Sequence, residues 1–242
     1  MKDSDRYYNI PGVGRLPSVT TILSVIAKPA LYAWQAKQGS LKAKNVMERL
    51  REMSPYLHDA LKKEFGDAFF KDGYHQAAEA ADYGKQAHSI IENILKRDEP
   101  VTDTVWLAPE TPAPVVNAVN QFVGWRQKTD FKIIRAESMI YSKKFGYAGT
   151  CDAIGETKYG VTLLDWKTSK GIYPEYSLQT VAYKYAAEEM SSERIPNIMI
   201  CRFGKDGSFE DYTVPQRQHP DLFDRFIDAK RLWEWQRQQE AA

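Results

Sequence analysis

Three consecutive stretches in the middle of the chain alternate apolar and polar residues with a period of two. They are FKIIRAESMIYS at 131–142, YAGTCDAIGE at 147–156 and VTLLDWKT at 161–168. Successive side chains of a strand point to opposite faces, so this alternation predicts three strands, each with one face in a core. The links between them are short and contain Gly146 and Gly160, which calls for tight turns and an antiparallel meander.

The flanking sequence supplies helices. Helical spacing predicts a long helix over 75–97, another over about 115–128 behind the proline-rich TVWLAPETPAPVV, and a third over 174–190 with Pro174 near its start. A last helix from about Pro220 carries Leu222, Phe226, Ala229 and Trp233. NIMICRF and SFEDYTV, separated by GKDG, read as strand, turn and strand. Upstream, Ser18 suits the cap of a short helix, Pro29 the first turn of the next, and 40–64 reads as a charged helical excursion broken at Pro55. The expected architecture is a single α/β domain over 1–242, with an N-terminal helical part (1–80), a core (81–215) and a C-terminal helix (216–242).

Charge and cysteine content narrow the function classes. Thirty-three basic residues face 32 acidic ones, a net charge of +1, so any nucleic-acid binding has to come from a local patch. Only two cysteines are present, Cys151 and Cys201, too few for a four-thiolate iron–sulfur or zinc site within one chain. The apolar run VTTILSVIA at 19–27 is about half the length of a membrane span, so the expectation is a soluble, cytoplasmic protein with no membrane partner.

The chemistry concentrates in the second and third strands of the meander. Alternation puts Val161, Leu163, Asp165 and Lys167 on one face, and the tight turn brings Asp152 of the preceding strand towards Asp165. Close carboxylates repel unless a cation lies between them. Mg²⁺, a hard ion that takes one or two protein carboxylates and keeps sites for water and phosphate, is the natural partner, with Mn²⁺ as its substitute. An ammonium beside such an ion orients water and stabilises charge on a pentacoordinate phosphate, so Asp152, Asp165 and Lys167 suit phosphodiester hydrolysis. Acid-x-Lys alone recurs by chance in a chain this rich in carboxylates and lysines; the weight lies in the Gly-Thr-x-Asp strand, the hairpin, and the following helix with Gln179 and Tyr183 one turn apart.

With these blocks in place the sequence resembles the PD-(D/E)XK nuclease superfamily, and within it the RecB-like exonuclease branch that includes the mitochondrial genome maintenance exonuclease and phage relatives. LPSVTTIL at 16–23, YGKQAHSIIE at 83–92, GYAGTCDAI through LLDWKTS at 146–169 and LQTVAYKYA at 178–186 carry the resemblance, in that family's order. It implies a mixed central sheet flanked by helices, with N-terminal helical additions, and a metal site built from His88, Asp152, Asp165 and the backbone carbonyl of Trp166. Lys167 would be the catalytic lysine, Gln179 and Tyr183 would position it and the DNA backbone, and Glu137 would stand behind the ligands. Glu92 could do the same, although an exposed glutamate on a charged helix explains it more simply. The implied activity is a Mg²⁺-dependent exonuclease acting on single-stranded DNA ends in repair, recombination or phage DNA processing, with a helicase or single-strand-binding protein as partner by analogy. A structure-selective endonuclease and a DNA-binding module with an unused site are the alternatives. Branches with an iron–sulfur cluster use four cysteines, so here the chain ends would dock through apolar packing, with Trp34, Trp233 and Trp235 as anchors.

Further substrate contacts have two readings each. Ser18, Thr20 and Thr21 at a helix start suit either a DNA phosphate or plain capping. Lys143 and Lys144 at a hairpin tip, with Lys158 and Lys170 nearby, suit either a basic patch or solvated turn lysines. The resemblance further implies that the basic stretch with Lys37, Lys42, Lys44, Arg49 and Arg51 arches over the site to admit a single strand; Tyr32, Trp34 and Tyr83 suit base stacking in such a passage or core packing.

Overall fold

The computed structural model describes residues 6–26, 73–97, 105 and 107–241, with isolated positions at 49, 52 and 54; for 73–81 and 241 it describes the helical backbone alone. The second expected N-terminal helix, the excursion at 40–64 apart from those isolated positions, and Tyr32, Trp34, Lys37, Lys42, Lys44 and Arg51 lie outside these residues. The chain divides into two compact units, Met1–Ile26 with Gly84–Ala242, and Ala27–Tyr83.

The meander forms as its alternation requires. Strands β3 (Lys132–Ser142), β4 (Tyr147–Thr157) and β5 (Gly160–Lys167) lie side by side and antiparallel, turning at Gly146 and Gly160, both with positive φ. β6 (Asn197–Phe203) pairs parallel to β5, and β7 (Phe209–Thr213) closes the five-stranded sheet antiparallel to β6. The sheet is therefore mixed. The parallel pair needs a crossover, which the helix at Pro174–Ser191 supplies. β6 is buried along its whole length, as an apolar strand with a neighbour on each side should be. A separate hairpin, β1 (Tyr7–Ile10) and β2 (Gly14–Pro17), precedes all of this.

Helices cover both faces of the large sheet. In chain order they are α1 (Val19–Ile22), α2 (Gly73–Arg97), α3 (Ala113–Lys128), α4 (Pro174–Ser191) and α5 (His219–Ala241). Prolines help to open two of them: Pro174 stands in the first turn of α4, and Pro112 and Pro114 stand at the start of α3. On one face Val19, Ile22, Tyr147, Leu163, Val181 and Phe226 build a continuous core with α1, α4 and α5. On the other, Phe122 and Trp125 of α3 meet Phe131, Trp166 and Phe203 in an aromatic cluster with centroid separations of 5.4–6.5 Å. Alternation along β5 thus sends Trp166 to the aromatic core and its neighbours Asp165 and Lys167 to the α4 side.

The termini dock partly as expected. Trp233 is buried and its ring lies 6.4 Å from Tyr7 of β1. Trp235, expected as a second anchor, is 56% exposed; two residues further along a helix, it has rotated away from the core. Among the described residues no helix is long and apolar enough to cross a membrane.

Candidate functional site

Sheet register brings three carboxylates into one row. On β3 and β4, Ala136 pairs with Ala153 and Ser138 with Cys151, so Glu137 stands opposite Asp152. On β4 and β5 the last pair is Ala153 with Leu164, and the next positions along are Asp152 and Asp165. The ladder ends there because Asp152 Oδ2 accepts the Trp166 backbone N–H instead, at 2.6 Å. Glu137 has φ of 44°, a left-handed conformation that a glutamate adopts only against a steric cost, in the strand that also carries a bulge at Ile133 to Arg135.

Two side-chain groups meet along this row. In the first, His88 of α2 approaches Asp152, with Nδ1 to Oδ1 at 3.7 Å, and one ligand atom from each of His88, Glu137 and Asp152 lies within 4.8 Å of the others. In the second, Lys167 Nζ is 2.6 Å from Asp165 Oδ2 and donates to Gln179 Oε1 at 3.3 Å. Gln179 Nε2 donates in turn to Asp165 Oδ1 at 3.4 Å and Tyr183 Oη at 3.0 Å. The Lys167 ammonium is thus the partner of the buried Asp165 Oδ2, a close ion pair in a poorly hydrated place. Gly149 lets the second group close up: a Cβ there would lie 2.4 Å from Tyr183 Cε1.

The electrostatics of the row are those of excess negative charge in a poorly hydrated place. Burial lifts Glu137 to about 7, helped by Asp152 and Glu92. Burial also raises Asp165, with Asp152 adding to it and Lys167 opposing. Asp152 goes the other way: burial would raise it, but His88, Lys167 and the Trp166 N–H hold its carboxyl below the usual range. Burial works against the charged forms of His88 and Lys167, and the neighbouring aspartates outweigh it, so both are raised. His88, Glu137 and Asp152 form a group of side chains close enough together to hold a metal ion, while Asp165 is paired with Lys167.

The expected site residues fall into three sets. His88, Asp152, Asp165, Lys167, Gln179 and Tyr183 are gathered here. Glu137, expected behind the ligands, is within the His88 and Asp152 group itself. Glu92 ion-pairs with Lys96 one turn on and contributes to the site through its field on Glu137. Trp166 meets the site through its backbone N–H, and its indole is buried on the opposite face. Ser18 is 2% exposed and caps α1: its Oγ accepts the Thr21 N–H at 3.0 Å and contacts the Thr20 and Thr21 hydroxyls. Thr20 is exposed. Lys143 and Lys144 occupy the β3–β4 turn, which is roughly 17 Å along the strand from Asp152 at the rise of extended chain, so the hairpin does not bring them to the carboxylates.

Two participants were not anticipated. Tyr176 places its ring 4.7 Å from Lys167 Nζ, and Tyr8 of β1 hydrogen-bonds Thr150 on β4 at 3.0 Å. Tyr176 is one turn before Gln179 on α4, a spacing visible in the sequence; Tyr8 depends on where the first hairpin lands, which no local pattern reveals.

No family model and no curated protein matches the chain. Among solved structures, one titled "Crystal structure of SSO0001" is 14% identical, with 69% of this chain and 67% of that one covered and a TM-score of 0.28. A likeness that loose leaves the site geometry to speak for itself.

Proposed function

We propose that this chain is a metal-dependent deoxyribonuclease with a PD-(D/E)XK core, working as an exonuclease on single-stranded ends. The observation that carries the reading is the contact of Lys167 with Asp165, two residues before it on β5, while Asp152 of β4 accepts the N–H of the intervening Trp166. Carboxylates gathered on one side of a sheet with an ammonium among them suit phosphodiester hydrolysis.

His88, Glu137 and Asp152 are the groups that would hold Mg²⁺ or Mn²⁺, with Asp165 paired to Lys167 beside them. The bound ion would supply Lewis acidity for a water and a phosphate oxygen. The protein's own part is orientation and charge. Lys167, kept protonated by its aspartates, presents an ammonium to a phosphate oxygen and hydrogen-bonds a water; Gln179 fixes the position of that ammonium from α4. Tyr183 orders Gln179 in turn.

The test is cleavage of end-labelled linear and circular single-stranded DNA with Mg²⁺, Mn²⁺ or chelator. Degradation of the linear strand alone, lost in chelator and reduced at least 100-fold by Asp165→Ala and by Lys167→Ala, is the expected result. Cutting of circles would replace the exonuclease with a structure-selective endonuclease. Binding without cleavage, in folded protein, would leave a DNA-binding module with an unused site.

A further inference from the structure

We infer that Tyr173 and Tyr176 form an aromatic step that stacks an unpaired nucleobase beside Lys167. The inference rests on the nuclease reading of that lysine and adds to it the feature that recognises the substrate as single-stranded.

Tyr176 packs against the main core and turns its ring to Lys167 Nζ at 4.7 Å. Tyr173 leans on Tyr176 edge to face, with centroids 5.6 Å apart and planes at 74°, and is 36% exposed. A single exposed tyrosine is ordinary surface. Here two rings in contact run from solvent to the ammonium.

The backbone beneath the step is also set before any ligand arrives. Pro174 follows Tyr173 and restricts it to extended backbone, observed at φ −104° and ψ 150°. The Tyr176 N–H donates to the Tyr173 carbonyl at 3.0 Å, which ties the two residues together at the start of α4. A π-face presented on fixed backbone costs little ordering on binding. Every base has such a face, so the contact tolerates any sequence, whereas a base inside a duplex is already stacked on both sides and cannot use it.

The experiment compares a fluorescein-labelled oligothymidylate with an abasic oligonucleotide of equal length, binding the full chain in chelator, by anisotropy. Wild type is expected to prefer the thymidylate roughly tenfold. Tyr173→Ala should lose most of that preference with abasic binding unchanged, and Tyr173→Trp should keep it. No preference in wild type, or an equal preference in wild type and Tyr173→Ala, would overturn the step. Adding Mg²⁺ to the same samples separates the two readings. No cleavage, with a base preference that Tyr173 controls, removes the nuclease and leaves the step; cleavage with a preference indifferent to Tyr173→Ala does the reverse.

Discussion

Gly149 is the residue on which the second half of the site depends most directly. Its missing side chain leaves room for the Tyr183 ring, and a methyl group there would fall 2.4 Å from Cε1 and 3.1 Å from Cδ1. Tyr183 is 4% exposed and cannot swing into solvent without leaving the core, so Gly149→Ala must shift α4 against β4. We expect a loss of about 1–3 kcal/mol in urea unfolding, the usual cost of overpacking, and a fall in the proposed nuclease activity larger than the stability loss explains. A variant as stable and active as wild type would mean that the ring contact is unimportant. At this scale the sequence is most legible where strand alternation alone decides the outcome, as it does for Asp165 and Lys167. Glu137 is less legible, because its place depends on a left-handed backbone angle in a bulged strand, and neither is written in residue types.

At the scale of elements, β3, β4 and β5 and the four longer helices were all readable, because each has a sustained period and punctuating prolines or glycines. The β1–β2 hairpin was not: four-residue strands are too short to show alternation, and what holds them is tertiary, such as the Tyr8 bond to Thr150. The start of α5 carries a pH effect that only packing reveals. His219 is 4% exposed, with Nε2 3.1 Å from the Val214 carbonyl. Burial lowers its pKa below the ordinary 6.5; the Val214 contact and Glu188 oppose this, and Lys184 adds to it. The folded state therefore binds fewer protons than the unfolded chain between the lowered value and about 6.5, and stability is lost as pH falls through that window. Urea unfolding at pH 7.5 and 5.5 should show a smaller acid loss for His219→Gln than for wild type. Equal losses would remove His219 from the account.

For the molecule as a whole, the site is a standing cost to stability that a cation should reverse. Glu137 is raised to about 7 against an ordinary 4.5, so above pH 7 it sits ionised where burial, Asp152 and Glu92 all disfavour the charge. The sign follows: the folded chain takes up more protons than the unfolded one between those values, and the penalty grows with pH until about 7 and then stays. Glu137→Gln should therefore melt higher than wild type in chelator at pH 8. An ion that binds only the folded chain stabilises it by mass action, about 2.7 kcal/mol at one hundred times its Kd. Mn²⁺ should therefore raise the melting temperature of wild type, and raise that of Glu137→Gln by less. A higher melting temperature in chelator together with a smaller Mn²⁺ shift separates a ligand from a residue that is merely structural, since a structural glutamine change would leave the Mn²⁺ shift unchanged. A wild-type melting temperature indifferent to Mn²⁺ and Mg²⁺, or a Glu137→Gln protein with the full shift, would dissociate the carboxylate row from metal binding.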